Sequence, residues 1–320
     1  MAQKFEYIKS NGQTLRVAVS GDGPLVLLIH GWPESWYSWR HQIQALSAAG
    51  YKVAAPDVRG YGGSDKPELI EAYDMANMTA DMAGLVDAMG GEPAVVIGHD
   101  WGAPIAWNTA LLHADKVRAV AGLSVPYTGP GPAPFIEIAK NIYKDQFFYQ
   151  IYFQEPGIAE AELEADVRDA LRKIYYWISG EGLRATALDS KPADAKLLDG
   201  MEDPGQFPPW MSAEDLDYYV SQFEESGFRG PLNRYRNHYR DFEFLSSHGD
   251  KKILQPAAFI SGTLEPVLNF VPGVDLIANM RKKLVDLRIV ELIDGAGHWV
   301  QQERPEEVNA TLLRFLSGLT

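Results

Sequence analysis

The stretch Gly98-His99-Asp100-Trp101-Gly102 constrains this chain more than any other. It follows Ala94-Val95-Val96-Ile97, a run dominated by β-branched residues and preceded by Pro93, which predicts a buried strand. It leads into Ala103-Pro104-Ile105-Ala106-Trp107, where proline in a first helical turn removes no needed donor. The order is therefore strand, sharp turn, helix. Glycines two before and two after a polar residue suit a tight turn that holds that residue in strained geometry, because bulkier neighbours would clash. The residue so presented is Asp100.

Around that turn the apolar pattern predicts alternating strands and helices. Residues 4–20 alternate and break at Asn11-Gly12, a hairpin signal that gives strands over 5–9 and 14–20. Continuous buried strands are expected at 25–29, 52–56 and 117–123. One intervening helix is capped by Ser35 and carries Trp36, Trp39, Ile43 and Leu46, and another carries Met75, Met78, Met82, Leu85 and Met89. This rhythm points to a parallel sheet with crossover helices. It stops at Pro126, Pro130, Pro132 and Pro134, a stiff boundary. From 135 to 244 no strand is expected, and helical series such as Ile158, Leu163, Val167, Leu171, Ile174 and Ile178 take over. Strands resume at 257–260 and 287–293, and Pro305 opens a last helix with Val308, Leu312 and Phe315 on one face. The expected organisation is a core over 1–130 and 246–320, with a helical cap over 131–245.

Composition narrows the chemistry. The 43 acidic against 29 basic residues give a formal charge of −14, which disfavours nucleic acid and anionic membrane as partners. With no cysteine, disulfides, thiolate ligands and a thiol nucleophile are excluded. No cluster of histidines and carboxylates has metal-ligand spacing, so neither a metal nor another cofactor is expected. Gly60-Tyr61-Gly62-Gly63-Ser64 lacks the Lys-Ser/Thr ending of a phosphate loop and reads as a turn. Met1-Ala2-Gln3-Lys4-Phe5-Glu6 has no long apolar core, and no run approaches membrane-spanning length, so a soluble cytoplasmic protein is expected.

Ligands of open parallel sheets sit at the carboxyl ends of the strands. Three loops there hold reactive side chains: Asp100, Glu265 after strand 257–260, and His298 in Gly295-Ala296-Gly297-His298-Trp299. Their order is nucleophile, acid, histidine. A carboxylate, with an ordinary pKa near ~4, is already ionised at neutral pH and needs no base to attack. Attack on a carboxylic ester would give a mixed anhydride with little gain, whereas attack on an sp³ carbon gives an ordinary alkyl ester. His298, oriented by Glu265, would then activate water against the Asp100 carbonyl, and the backbone N–H groups of Trp32 and Trp101 would hold the oxyanion. A halide leaves unprotonated, but an epoxide oxygen needs a proton donor. The cap is rich in tyrosine for that purpose: Tyr149, Tyr152, Tyr175, Tyr176, Tyr218, Tyr219, Tyr235 and Tyr239.

On His30-Gly31-Trp32-Pro33-Glu34-Ser35, Gly98-His99-Asp100-Trp101-Gly102, Gly297-His298-Trp299 and the cap motifs Tyr149-Gln150-Ile151-Tyr152-Phe153-Gln154-Glu155-Pro156-Gly157 and Gly227-Phe228-Arg229-Gly230-Pro231-Leu232-Asn233-Arg234-Tyr235, the chain resembles the soluble-type epoxide hydrolases of the α/β-hydrolase family. The resemblance implies an α/β-hydrolase fold: a mostly parallel eight-stranded sheet with flanking helices, and a helical cap inserted after the sixth strand. It implies a small-molecule epoxide and water as the reactants, with Tyr149 and Tyr235 as the pair that protonates the epoxide oxygen. It further implies that Trp101 lines the pocket, joined by Tyr152 as a neighbouring binding residue, and that the peptide before Pro33 is cis. Glu265 stands where aspartate is more frequent, so the loop must absorb one methylene; Asp275 and Asp294 are less suitably placed. A haloalkane dehalogenase resembles the same fold but commonly has Asn where Trp32 stands, and a non-catalytic ligand-binding homologue is the rival of another class. Monomer and homodimer both stay open.

Overall fold

The alternating residues at the N-terminus form a hairpin in the computed structural model, which describes residues 4–185 and 190–319; Met1, Ala2 and Gln3 lie outside the described residues. β1 (Lys4–Ser10) and β2 (Gln13–Ser20) pair antiparallel, and Asn11 and Gly12 take φ of 46° and 76°, the left-handed pair a two-residue hairpin needs. Six further strands complete one sheet: β3 (Leu25–Ile29), β4 (Lys52–Pro56), β5 (Ala94–His99), β6 (Val117–Leu123), β7 (Ile253–Gly262) and β8 (Leu284–Ile293). The order is β1-β2-β4-β3-β5-β6-β7-β8. β2 is antiparallel to both neighbours, and every pairing from β4 to β8 is parallel. β7 and β8 begin earlier than the apolar pattern predicts. Their pairing shifts register between Ile253 and Pro256, an irregularity that admits proline but interrupts the pattern.

A parallel sheet must be covered on both faces, and the two sides of β3 show how. Leu27 and Ile29 join the cluster that holds Met78, Met82 and Leu85 of the helix Met75–Ala88. Val26 and Leu28 face the opposite cluster, with Ile43 and Leu46 of the helix Arg40–Ala48 and Leu312 and Phe315 of the helix Pro305–Ser317. Ser35 caps a 3₁₀ turn, Trp36–Trp39, which runs into the helix Arg40–Ala48.

All the named elements between β6 and β7 are helical, from Phe135–Ile142 to His238–Ser246. The apolar series over 158–178 makes two helices, Ile158–Leu163 and Val167–Trp177, because Asp166 accepts from Asp169 N at 2.9 Å and starts the second. Among the described residues no helix is long and apolar enough to cross a membrane.

The strand order fixes where function can sit. From β3 the chain moves to one side to make β4 and then crosses to the other side for β5. The carboxyl ends of β3 and β5 therefore splay apart into a crevice. Residues 30–34 and 100–102 follow those two ends.

Candidate active site

Asp100 links β5 to the helix Gly102–Leu112 with φ of 50°, a left-handed conformation that a non-glycine residue holds only where its surroundings impose it. Close backbone approach is what imposes it. A Cβ on Gly98 would lie 1.9 Å from the Gly102 carbonyl oxygen, and one on Gly102 would lie 2.0 Å from that of Ile29. Opposite them, a Cβ on Gly31 would lie 2.4 Å from both Cβ and Oδ1 of Asp100. Any side chain at position 31 would occupy the carboxylate's own space. The Trp32–Pro33 peptide is cis.

The carboxylate is held from two directions. Trp32 N–H donates to Asp100 Oδ1 at 2.8 Å, and His298 Nε2 lies 3.4 Å from Oδ2. Trp101 immediately precedes the helix Gly102–Leu112 and takes helical angles, so its N–H belongs to the group at a helix start that has no partner within the helix. Burial alone would raise the Asp100 carboxyl, but the hydrogen bond and charge of His298, then His99 and the Trp32 N–H, hold it below the usual carboxylate range. His298 Nδ1 lies 3.0 Å from both oxygens of Glu265. Glu265 Oε1 also accepts from Val267 N at 3.0 Å, so the longer side chain curls back as the cap of a 3₁₀ turn, Pro266–Asn269, and the methylene is absorbed. Asp275 instead caps the helix Leu276–Lys283, and Asp294 is exposed beside Thr263. Burial opposes the imidazolium of His298, yet the charge of Glu265, the hydrogen bonds of Asp100 and Glu265, and the charge of Asp100 raise it well above its ordinary range. Both shifts favour the charged forms, carboxylate and imidazolium, in the resting pair.

Two phenols stand over this pair. A cavity of about 760 Å³ is walled by Asp100, Trp101, Tyr149, Val267 and Phe270, among other mostly apolar residues. Tyr235 is buried behind Trp101, with ring centroids 5.3 Å apart, and its ring lies 5.8 Å from that of Tyr149. Gln150 Nε2 donates to the Tyr149 hydroxyl at 2.9 Å. An amide N–H can only donate, so Tyr149 accepts from Gln150 and keeps its own proton to give. Burial, then the charge of Asp100, raises Tyr149; burial, Tyr149 and Asp100 raise Tyr235, so both remain protonated far above neutral pH. Tyr152 is not brought into the group. Its hydroxyl donates to Glu162 Oε2 at 2.8 Å, and it is not part of the cavity wall. Among the described residues no group of three or more His, Cys, Asp or Glu could hold a metal ion.

A supporting network was not anticipated from the sequence. The carbonyl of His298 accepts from His99 Nε2 at 2.7 Å and from Ser124 Oγ at 2.8 Å, while His99 Nδ1 lies 2.8 Å from Glu34 Oε2. Glu34, fully buried, also accepts from Gly31 N at 2.8 Å and from Gln301 Nε2 at 3.0 Å. Glu303 accepts from Gly297 N and Trp299 N, on either side of His298, at 2.9 and 3.0 Å. Glu34 and His99 lie inside motifs read from the sequence, whereas Ser124 and Glu303 carry no signal of their own.

A family model described as the alpha/beta hydrolase fold matches residues 24–305. The chain is 46% identical over 318 residues to epoxide hydrolase A of Mycobacterium tuberculosis, covering 98% of this chain and 97% of that one. Among solved structures it is similar to epoxide hydrolase A from Mycobacterium thermoresistibile, at 45% identity and TM-score 0.92 over 99% of each chain. It is also similar to epoxide hydrolase I of potato, Solanum tuberosum, at 32% identity and TM-score 0.88 over 99% of this chain and 100% of that one. The chain belongs to the α/β-hydrolase fold family and, within it, to the epoxide hydrolases.

Proposed function

We propose that the protein hydrolyses epoxides to vicinal diols through an ester on Asp100. One observation carries the reading: a buried, ionised carboxylate at the strained turn, with His298 on one oxygen, shares a cavity with Tyr149, whose ring packs against that of Tyr235, and both phenols are protonated. Asp100 Oδ2 bonds to a ring carbon, the ring C–O bond breaks, and the departing oxygen takes a proton from Tyr149 or Tyr235. Oδ1, already held by Trp32 N–H, becomes the ester carbonyl. Esterification removes the charge that helped His298 keep its proton; that proton passes through water to the tyrosinate left by ring opening, and the neutral histidine becomes the base. It takes a proton from water, hydroxide adds to the Asp100 carbonyl, and the oxyanion rests on the N–H groups of Trp32 and Trp101. Collapse breaks the acyl C–O bond, His298 gives that proton to the leaving diol, and the Asp100 carboxyl so formed passes its own proton to His298, which restores the resting pair. In this reading the core, 1–130 and 246–320, supplies nucleophile and base, and the cap, 131–245, supplies the proton donors.

The test is the origin of the new oxygen. A single turnover in heavy-oxygen water should give unlabelled diol, because the transferred oxygen is that of Asp100, and the label should enter the protein. Diol labelled in the first turnover would mean direct attack by water and would refute the ester. A haloalkane tested in parallel reports the rival chemistry, which halide release without diol formation from epoxides would favour.

A further inference from the structure

The two proton donors stand on unlike supports. Tyr149 begins an isolated four-residue helix, Tyr149–Tyr152, and Tyr235 lies in the 3₁₀ turn Arg234–Asn237, which joins the helices Arg229–Asn233 and His238–Ser246. One turn of helix does not hold itself, so the position of Tyr149 depends on what ties its turn to the longer segment that carries Tyr235. The two turns must also agree with each other, because two hydroxyls have to converge on one oxygen.

Gln154 makes that tie. Its Nε2 donates to the carbonyl of Gln150 at 2.7 Å and to the carbonyl of Tyr235 at 2.9 Å, so both amide hydrogens are spent, one on each tyrosine-bearing segment. The first bond secures the turn of Tyr149 and Gln150, the residue that donates to the Tyr149 hydroxyl. The second holds the backbone of Tyr235 itself, 81 residues on. Arg236 adds a second link, from Nε to the Phe153 carbonyl at 2.9 Å, but it is a buried partner of Glu160, and removing it would strand that carboxylate. Gln154 is neutral and half-buried, so its loss frees two carbonyls without leaving a charge uncompensated.

We propose that Gln154 is a positioning residue that sets the register of Tyr149 against Tyr235 and thereby governs epoxide ring opening, but not ester hydrolysis. The inference rests on the reading of the two tyrosines given above. The hydrolytic groups, Asp100, Glu265, His298 and the Trp32 N–H, bond to one another and not to Gln154, which is why the two half-reactions separate.

The experiment follows both halves in the full chain, with styrene oxide as probe and intact-mass measurement of rapidly quenched samples. Gln154→Met keeps the volume and removes both donors, and Gln154→Glu keeps the shape and sets a carboxylate against two carbonyls. Adduct formation should slow about 10- to 100-fold in each, as misplacement of reacting groups by a fraction of an ångström does, while adduct decay stays within about twofold of the unaltered chain. Combined with Tyr235→Phe, Gln154→Met should lose most of its effect, because the phenol it places is gone. Should Gln154→Met not fold, Gln154→Asn, whose shorter amide reaches one carbonyl but not both, takes its place with a smaller loss expected. Unchanged formation, formation and decay slowed alike, or full additivity with Tyr235→Phe would each overturn the assignment. Absence of any adduct in the unaltered chain would overturn the ester reading instead, and the role of Gln154 with it.

Discussion

Gly31→Ala isolates the placement of the nucleophile. The new Cβ would begin 2.4 Å from both Cβ and Oδ1 of Asp100. Carbon atoms pack at about 3.5–4.0 Å, so roughly 1 Å of relief has to come from somewhere. The backbone of Gly31 cannot easily supply it, because its N–H is bound to the buried Glu34. The turn at Asp100 is also fixed, by the contacts of Gly98 and Gly102. The Asp100 side chain must move, and it does so away from Trp32 N–H. A displacement near 1 Å at the reacting atom costs on the order of 100-fold in rate. Overpacking should at the same time lower stability by about 1–3 kcal/mol. Gly84→Ala is the matched control: its Cβ would lie 2.2 Å from Ser10 Oγ, in a comparable clash on the helix Met75–Ala88. Single-turnover adduct formation and thermal unfolding, measured on both variants, separate the two effects. The control should lose stability and keep its rate. Adduct formation by Gly31→Ala within about threefold of the unaltered chain would refute the argument that backbone proximity places the carboxylate.

Two further outcomes follow from the same geometry. Tyr149→Phe or Tyr235→Phe should slow adduct formation about 10- to 100-fold each, and the double variant should all but stop it in a folded chain, since general acid catalysis supplies factors of that size; near-normal diol formation by the double variant would remove the phenols from the reaction. The pH dependence has a definite sign. On the proposed mechanism, hydrolysis of the ester needs neutral His298, so its rate should rise with pH through the histidine's midpoint in the ester. That midpoint should lie below the one in the resting enzyme, because the Asp100 charge and hydrogen bond that help to raise it are gone. Adduct decay against pH, compared with magnetic-resonance titration of the resting histidine, checks this, and identical midpoints would count against it. His298→Gln should let the adduct persist at every pH.

The glycines around Asp100, the β-branched run before it and the acid and histidine at later strand ends are local signals, and they carried both the sheet and the Asp100, Glu265, His298 geometry. What the sequence concealed is contact between distant segments. Ser124 stood where the strand-end loop offers no carboxylate, and nothing local shows that its hydroxyl would fall 2.8 Å from the carbonyl of His298. Tyr152 and Tyr149 are three residues apart on a short turn, so periodicity could not say which one faces the cavity. The answer depends on Glu162, which lies outside the motif and takes the Tyr152 hydroxyl. The split of the series at 158–178 has the same character: the apolar spacing runs through, while Asp166 caps a new helix in its midst.

The contacts of His298 also bear on how the cap works. Its N–H donates to Ile178 O at 2.9 Å, Trp299 Nε1 donates to Tyr175 O at 2.8 Å, and Glu303, which binds the N–H groups on both sides of His298, also accepts from Gly180 N at 2.9 Å. The segment 175–180 runs from the last turn of the helix Val167–Trp177 to the start of the next, Gly180–Ala185, so His298 is fastened to these helices as well as to the core. Glu303 raises the stakes of that junction, since a buried carboxylate that loses such donors is left uncompensated. A lid that lifted away as one body would break all of these bonds and displace the histidine with them. Substrate entry must therefore leave 175–180 in place. The histidine then keeps its place beside Asp100 as substrate enters, in keeping with the stabilisation of transition states by groups fixed before the reaction begins.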